Sequence, residues 1–319
     1  MRLRWARKGK IFPSWCVMAK NNEVPGPERP GSGEGQSAPV PLTDTHAHLG
    51  HIEERLGGER LERLFEPYRA AWAAAEAGQA STDSLPFILD IGTRPGDLSA
   101  RQSRFGALPF IGFSAGLWPG GEAFADPGAS LELLEADISN ASCRALGECG
   151  LDYFHMEADR GRQLALFEAQ AALAQAKGLP LIVHSRDAFE DSLAVVSAMG
   201  GGIPVVIHCF SYGPEEAEAF LASGCLLSFA GNLTYHKAQP LMEALRIAAR
   251  EKAFLLETDS PYMNPMPRRG RASTPLDIGR TYAFAASVLG VGLQELVKEV
   301  QERSFRIFGP GRRVAGIRG

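Results

Sequence analysis

The sequence predicts an α/β fold, a closed (β/α)8 barrel of the TIM type, and three observations carry that prediction. Short apolar runs alternate with alanine- and leucine-rich stretches of helical period, and the alternation recurs eight times between Leu42 and Glu257. The apolar runs are continuous, as in Leu179-Pro180-Leu181-Ile182-Val183, which suits strands of a parallel sheet buried on both faces. At 319 residues the chain is long enough for one domain of barrel size. An open doubly wound sheet would carry a glycine-rich phosphate loop after its first strand, and none follows residues 42–49.

In chain order, strands are expected over residues 42–49, 87–92, 110–117, 144–149, 180–184, 205–210, 226–230 and 253–257. The clearest helices are expected over 160–177, 188–199, 214–222 and 240–251. Pro214 stands where the first turn of a helix tolerates proline, and Gly178 and Gly224 stand just past helix ends, where a left-handed cap favours glycine. Residues 1–41 are expected to form a loosely ordered leader. They open with Arg2, Arg4, Arg7, Lys8 and Lys10 and continue through Pro25-Gly26-Pro27, Pro30-Gly31-Ser32-Gly33 and Pro39-Val40-Pro41, a composition too poor in apolar residues to build a core. The short apolar patch at residues 11–18 is broken by Pro13 and lacks a small-residue cleavage site, which argues against a signal peptide. Met18 is an alternative initiator to Met1. The expected organisation is leader 1–41, one barrel domain over 42–310 and a tail over 311–319.

A barrel of this kind does its chemistry at the C-terminal ends of its strands, so the residues there are the test. Strand one brings His46 and His48, which on a strand share a face about 7 Å apart, a chelating arrangement. Strand four ends in Gly147-Glu148-Cys149-Gly150-Leu151-Asp152-Tyr153, strand five in His184-Ser185-Arg186-Asp187, strand six in His208-Cys209-Phe210-Ser211, and strand eight in Glu257-Thr258-Asp259-Ser260-Pro261. Singly, each has a plain structural explanation: a satisfied core histidine, a solvated loop acid, or an aspartate that starts a turn. Together they place four of the chain's seven histidines and two carboxylates at the strand ends of one face, which chance does not readily do. His51, His155 and His236 lie off this pattern and are expected to face solvent.

These motifs, with Asp44-Thr45-His46-Ala47-His48-Leu49, Leu181-Ile182-Val183-His184-Ser185-Arg186, Val206-Ile207-His208-Cys209-Phe210-Ser211 and Leu255-Leu256-Glu257-Thr258-Asp259-Ser260-Pro261-Tyr262, resemble in order and spacing the signatures of the TatD family of metal-dependent deoxyribonucleases. The likeness spans about residues 42–308. It implies a barrel of the metallo-dependent hydrolase type, two divalent ions (Mg2+, Mn2+ or Zn2+) as cofactors, and DNA as substrate. By the same resemblance His46, His48 and Asp259 bind one ion, His184 and His208 bind the other, and Glu148 bridges them. A shared carboxylate holds two ions about 3.5 to 4 Å apart, as in-line phosphoryl displacement requires. Metal coordination can bring the pKa of water down to about 7, and Asp259, with Glu148 the candidate catalytic residue, is placed to take or relay its proton.

Two segments depart from the family. Gly116-Leu117-Trp118-Pro119 stands where relatives often have Gly-x-His-Pro, so an indole replaces a polar group; Trp118 either stacks on a base or packs beneath a loop. Arg268-Arg269-Gly270-Arg271-Ala272-Ser273-Thr274-Pro275 keeps the family's basic loop but loses its asparagine, and Arg268, Arg269 and Arg271 are the candidate contacts to DNA phosphates.

Composition narrows the alternatives. A formal net charge of -4 excludes a broadly basic nucleic-acid binder, so positive charge toward a polyanion must be local. The five cysteines show no CxxC spacing, which argues against a disulfide framework and a thiolate zinc site and suits a cytoplasmic location. No stretch approaches the roughly 20 apolar residues that span a bilayer, and no obligate protein partner is evident. The competing functions are a metal-dependent esterase, such as an aminoacyl-tRNA deacylase, and a barrel that binds without catalysis. A cyclic amidase is disfavoured because many binuclear amidohydrolases use a carboxylated lysine where this chain has Glu148. The non-catalytic barrel is disfavoured by the completeness of the ligand set.

Overall fold

The computed structural model describes residues 40–78 and 85–309. The expected leader, apart from Val40 and Pro41, and the expected tail lie outside the described residues. Eight parallel strands form one sheet in sequential order: β1 (Asp44–Ala47), β2 (Ile88–Asp90), β3 (Ile111–Ala115), β4 (Cys143–Asp152), β5 (Leu181–Arg186), β6 (Val205–Ile207), β7 (Cys225–Phe229) and β8 (Phe254–Leu256). Helices fill the connections: α1 (Leu49–Leu56), α2 (Gly58–Glu76), α3 (Leu98–Phe105), α4 (Gly121–Ala125), α5 (Pro127–Ser139), α6 (Arg160–Lys177), α7 (Phe189–Ala198), α8 (Pro214–Ala222), α9 (Gln239–Arg250), α10 (Ile278–Leu289) and α11 (Leu293–Phe308). All eight expected strands are present, and α6 and α8 keep their expected bounds, with Gly178 in the left-handed cap (φ 64°) and Pro214 in the first turn.

The strands are shorter than their apolar runs at several ends. β1 stops at Ala47 because the chain turns into α1, leaving His48 at the helix N-cap and off the strand. The barrel closes at that point. Ala47 pairs with Ser260 just past β8, His48 N–H donates to Ser260 O at 2.8 Å, and Asp259 N–H donates to His46 O at 2.9 Å. The buried Asp44 carboxylate tightens the seam by accepting from Thr258 N (3.0 Å) and Oγ1 (2.6 Å). Closure therefore brings the two ends of the sequence motif set, His46-Ala47-His48 and Asp259, side by side.

Alternation along the strands sorts the core into two layers. Residues such as Ile88, Leu181, Val183, Val205 and Ile207 pack outward against the helices, while Leu89, Ala145, Ile182, Val206 and Leu255 share a separate cluster inside the barrel. Phe87, Ile307 and Phe308 belong to that inner cluster, so the end of α11 stops the N-terminal mouth. Arg144 and Arg303 donate to the carbonyls of Phe308 (3.3 Å) and Phe254 (2.7 Å) and fasten the plug. Two residues beyond the apolar layer, the same inward rows carry His184, His208 and Glu257. Sequence alternation alone thus stacks a polar layer over an apolar floor at the C-terminal mouth.

Candidate metal centre

Glu148 reaches the polar layer by a local irregularity of β4. Its register against β5 shifts between Leu146 and Cys149, so Ala145 and Glu148, three residues apart, serve the interior at different depths. Glycines permit this. Gly147 and Gly150 have φ of 137° and 133°, and a Cβ on Gly150 would lie 2.1 Å from the carbonyl oxygen of His184. The Gly-Glu-Cys-Gly signature is therefore a backbone requirement on either side of the carboxylate.

The two oxygens of Glu148 face different partners. Oε2 lies 3.4 Å from His46 Nε2 and 3.6 Å from His48 Nε2. Oε1 lies 2.9 Å from both His184 Nδ1 and His208 Nε2. Asp259 Oδ1 completes the first side, 3.4 Å from His48 Nε2 and 3.9 Å from His46 Nε2. The rings of His46 and His208 stack 4.0 Å apart and nearly parallel, joining the two sides. His46, His48 and Asp259 form one group whose ligand atoms could hold a single ion, and His46, Glu148 and His208 form another. All six expected ligands thus meet in one place at the C-terminal mouth.

The donor chemistry fits a divalent cation. His46 is fully buried, yet among the described residues neither of its nitrogens has a hydrogen-bond partner. Such a buried, unpaired imidazole is costly unless an ion takes its lone pair. Burial would raise the Glu148 carboxyl, but the surrounding imidazoles, His208 foremost, outweigh it and hold Glu148 well below the ordinary carboxylate range. Asp259 is likewise held down, against its burial, by His48, His46 and His208. Both are anions at neutral pH. Cys209, beside them, belongs to neither group, and burial and then Asp259 and Glu257 push its thiol well above the ordinary value.

Two further carboxylates orient the histidines. Asp152 Oδ2 is 3.1 Å from His184 Nε2 and 2.8 Å from His155 Nδ1. Glu257 Oε1 is 3.3 Å from His208 Nδ1 and accepts from Cys209 N at 2.7 Å, while its Oε2 accepts from Ser228. A carboxylate behind a ligating imidazole fixes its tautomer and raises its basicity. Neither residue was assigned a role from the sequence, although both lie inside the motifs.

The solvent-facing expectation for His51 and His155 is corrected. His51 is half-buried and stacks on His48 at 5.2 Å, and burial together with His48 pushes it down to about 3, so it is a neutral imidazole. It lines a cleft beside His48 with Thr93, Arg94 and Arg101. His155 is half-buried because Asp152 draws it in. His236 is exposed, as expected.

Trp118 sits edge-on to His184, with ring centroids 5.9 Å apart, and its indole lies against Gly120, where a Cβ would be 2.6 Å away. The side chain is half-buried, packed under its loop and on the wall of the site at once. Arg268, Arg269 and Arg271 are exposed on the loop after β8. Arg268 pairs with Asp277 at 3.3 Å, and Arg269 lies over the Tyr235 ring at 4.5 Å.

A family profile described as "TatD related DNase" matches residues 43–309. The chain is 32% identical over 273 residues to "Uncharacterized metal-dependent hydrolase YcfH" of Escherichia coli (strain K12), covering 84% of this chain and 95% of that one. It is 30% identical over 175 residues, 53% of this chain and 66% of the other, to "3'-5' ssDNA/RNA exonuclease TatD" of Dickeya dadantii (strain 3937). Among solved structures, YJJV, a TatD homolog from Escherichia coli K12, superposes with a TM-score of 0.69 at 24% identity, covering 84% of this chain and 97% of that one. Among the described residues, no helix is long and apolar enough to cross a membrane.

Proposed function

Because the chain belongs to the TatD family of metal-dependent hydrolases, we propose that it cleaves phosphodiester bonds of DNA with two divalent ions. One observation carries this: the two oxygens of Glu148 are directed to separate pairs of imidazoles, the disposition a carboxylate needs to serve two cations. In this proposal His46, His48 and Asp259 hold one ion, His184 and His208 hold the other, and Glu148 serves both. Bound ions supply Lewis acidity toward the phosphoryl oxygens.

The remaining roles belong to the protein. Asp259, ionised and at the edge of the cluster, accepts the proton of the attacking water on its carboxylate. Asp152 and Glu257 keep the imidazoles of His184 and His208 aligned through Nε2 and Nδ1. Trp118 walls the His184 side and limits solvent entry. The arginines of the loop after β8 draw the DNA backbone to the mouth, local positive charge on an acidic chain. The exonuclease name of the Dickeya relative supports a single-stranded nucleic acid as substrate.

The test is to purify the full chain, measure its metal content, and assay single-stranded DNA, double-stranded DNA, RNA and aminoacyl-tRNA with Mg2+, Mn2+ and Zn2+. Metal-dependent loss of single-stranded DNA, with aminoacyl-tRNA turned over more slowly, is the expected result. Faster release of the aminoacyl group than of nucleotides would replace the nuclease by the esterase.

A further inference from the structure

β5 carries a third inward-facing side chain to which the metal centre gives no task. Ile182 belongs to the apolar floor, and His184 belongs to the ligand cluster. Ser185 points the other way, its Oγ meeting Ser192 of α7 and Tyr212, each at 2.8 Å. Alternation then returns Arg186 to the His184 face, about 7 Å nearer the mouth. The sheet register agrees, since Arg186 pairs with Asp152, whose carboxylate touches His184. Arg186 also bears electrostatically on Cys209, next to His208, and on Tyr212.

The guanidinium is short of partners. Its Nε is buried without a hydrogen-bond acceptor, and among the described residues Arg186 pairs with no carboxylate. Its contact is the face of Phe154, 5.1 Å away. Other arginines sunk into this fold are provided for: Arg101 holds Asp90 and Asp97, and Arg303 holds Glu299. A charged donor left without an acceptor is costly, and an anionic ligand at the mouth would supply the acceptor. Its planar fork matches two phosphate oxygens.

We propose that Arg186 is a substrate-binding residue that grips the non-bridging oxygens of the phosphodiester lying over His184, with Phe154 as the buttress that aims the guanidinium. The role deepens the phosphodiesterase reading above and rests on it. Unlike the loop arginines, Arg186 lies next to the ligands, so it serves a small phosphodiester as well as a polymer.

The test uses the metal-loaded full chain with Arg186→Gln and Arg186→Lys. The readouts are KM and kcat on a single-stranded oligonucleotide and on bis(p-nitrophenyl) phosphate, calorimetric affinity for inorganic phosphate, metal content and Tm. Arg186→Gln should raise KM on both substrates and weaken phosphate binding by about 10- to 100-fold, a charge-assisted hydrogen-bond loss. Arg186→Lys should recover part of the affinity, and metal content and Tm should stay at wild type. Unchanged phosphate affinity and KM in Arg186→Gln overturn the proposal. Equal losses in both variants, accompanied by loss of metal or of Tm, overturn it in favour of a structural role. If the wild-type chain binds phosphate through Arg186 yet hydrolyses neither diester, the anion site stands and the nuclease reading fails.

Discussion

At the scale of single residues, Glu148 concentrates the demands of the site. Its carboxylate meets four imidazoles, and removing its charge takes away the one anion that touches both pairs of rings. Glu148→Gln preserves shape and removes the charge, so bound metal should fall and turnover should drop by more than the roughly 10- to 100-fold typical of losing an outer partner of a ligand. It should also exceed the loss from replacing one histidine, since Glu148 meets all four rings. Wild-type metal stoichiometry and turnover in Glu148→Gln would falsify the shared role. Among the six candidate ligands, His46, His184 and His208 were legible because period-2 alternation and barrel topology fix direction along a strand, whereas His48 at the α1 N-cap, Glu148 at the β4 register shift and Asp259 beyond β8 arrive by local departures from it. Asp152 and Glu257 were not legible. A carboxylate that orients a histidine is defined by a contact across strands, 32 residues apart for Asp152 and His184 and 49 for Glu257 and His208. The one local signal was position: Asp152 and Glu257 stand within a few residues of Glu148 and Asp259 in the same motifs. His51 was missed for a similar reason, because a helix start folds it back onto His48.

At the scale of elements, the strands were readable because most are built on a short apolar run, such as Leu181-Ile182-Val183 or Val205-Val206-Ile207, that alternates with helical stretches. Their ends were less so, since pairing stops where the chain is pulled into a site or a helix, as at His48. The loop after β8 carries the clearest element-scale prediction. Arg268 is half committed to Asp277, which itself caps the turn through Thr274 N and Oγ1, whereas Arg271 is exposed. Replacing Arg268 and Arg271 by alanine should raise KM for oligonucleotides and flatten the salt dependence of binding, because fewer phosphates are neutralised. Hydrolysis of bis(p-nitrophenyl) phosphate should be spared, in contrast to loss of Arg186. Stability should change by no more than about 1 kcal/mol, the value of an exposed pair. Equal losses on the small and polymeric substrates would reassign these arginines to support of the fold.

At the scale of the whole molecule, the described core begins at Leu42 and ends at Phe308, and the family match covers 43–309. Deleting residues 1–39 should therefore leave Tm and turnover close to those of the full chain, which thermal unfolding and an oligonucleotide assay would check; a large loss of either would give the leader a structural or catalytic share. Inside the barrel, the candidate ligands and the apolar plug occupy opposite ends. The ligands sit at the C-terminal mouth, whereas Phe308, 1% exposed, plugs the N-terminal mouth below the floor formed by Leu89, Ala145, Ile182, Val206 and Leu255. Phe308→Ala empties the space of a buried ring, a change worth about 3 to 5 kcal/mol in well-packed cores. Its main-chain carbonyl still accepts from Arg144, so the end of α11 stays attached while the cavity opens. The expected outcome is a marked fall in Tm with wild-type metal content and wild-type KM for the fraction that remains folded, because the intact floor lies between the cavity and the ligands. If metal content falls in step with Tm, the plug and the ligand layer are one cooperative unit, and the division of the barrel into a stabilising end and a reactive end is wrong for this chain.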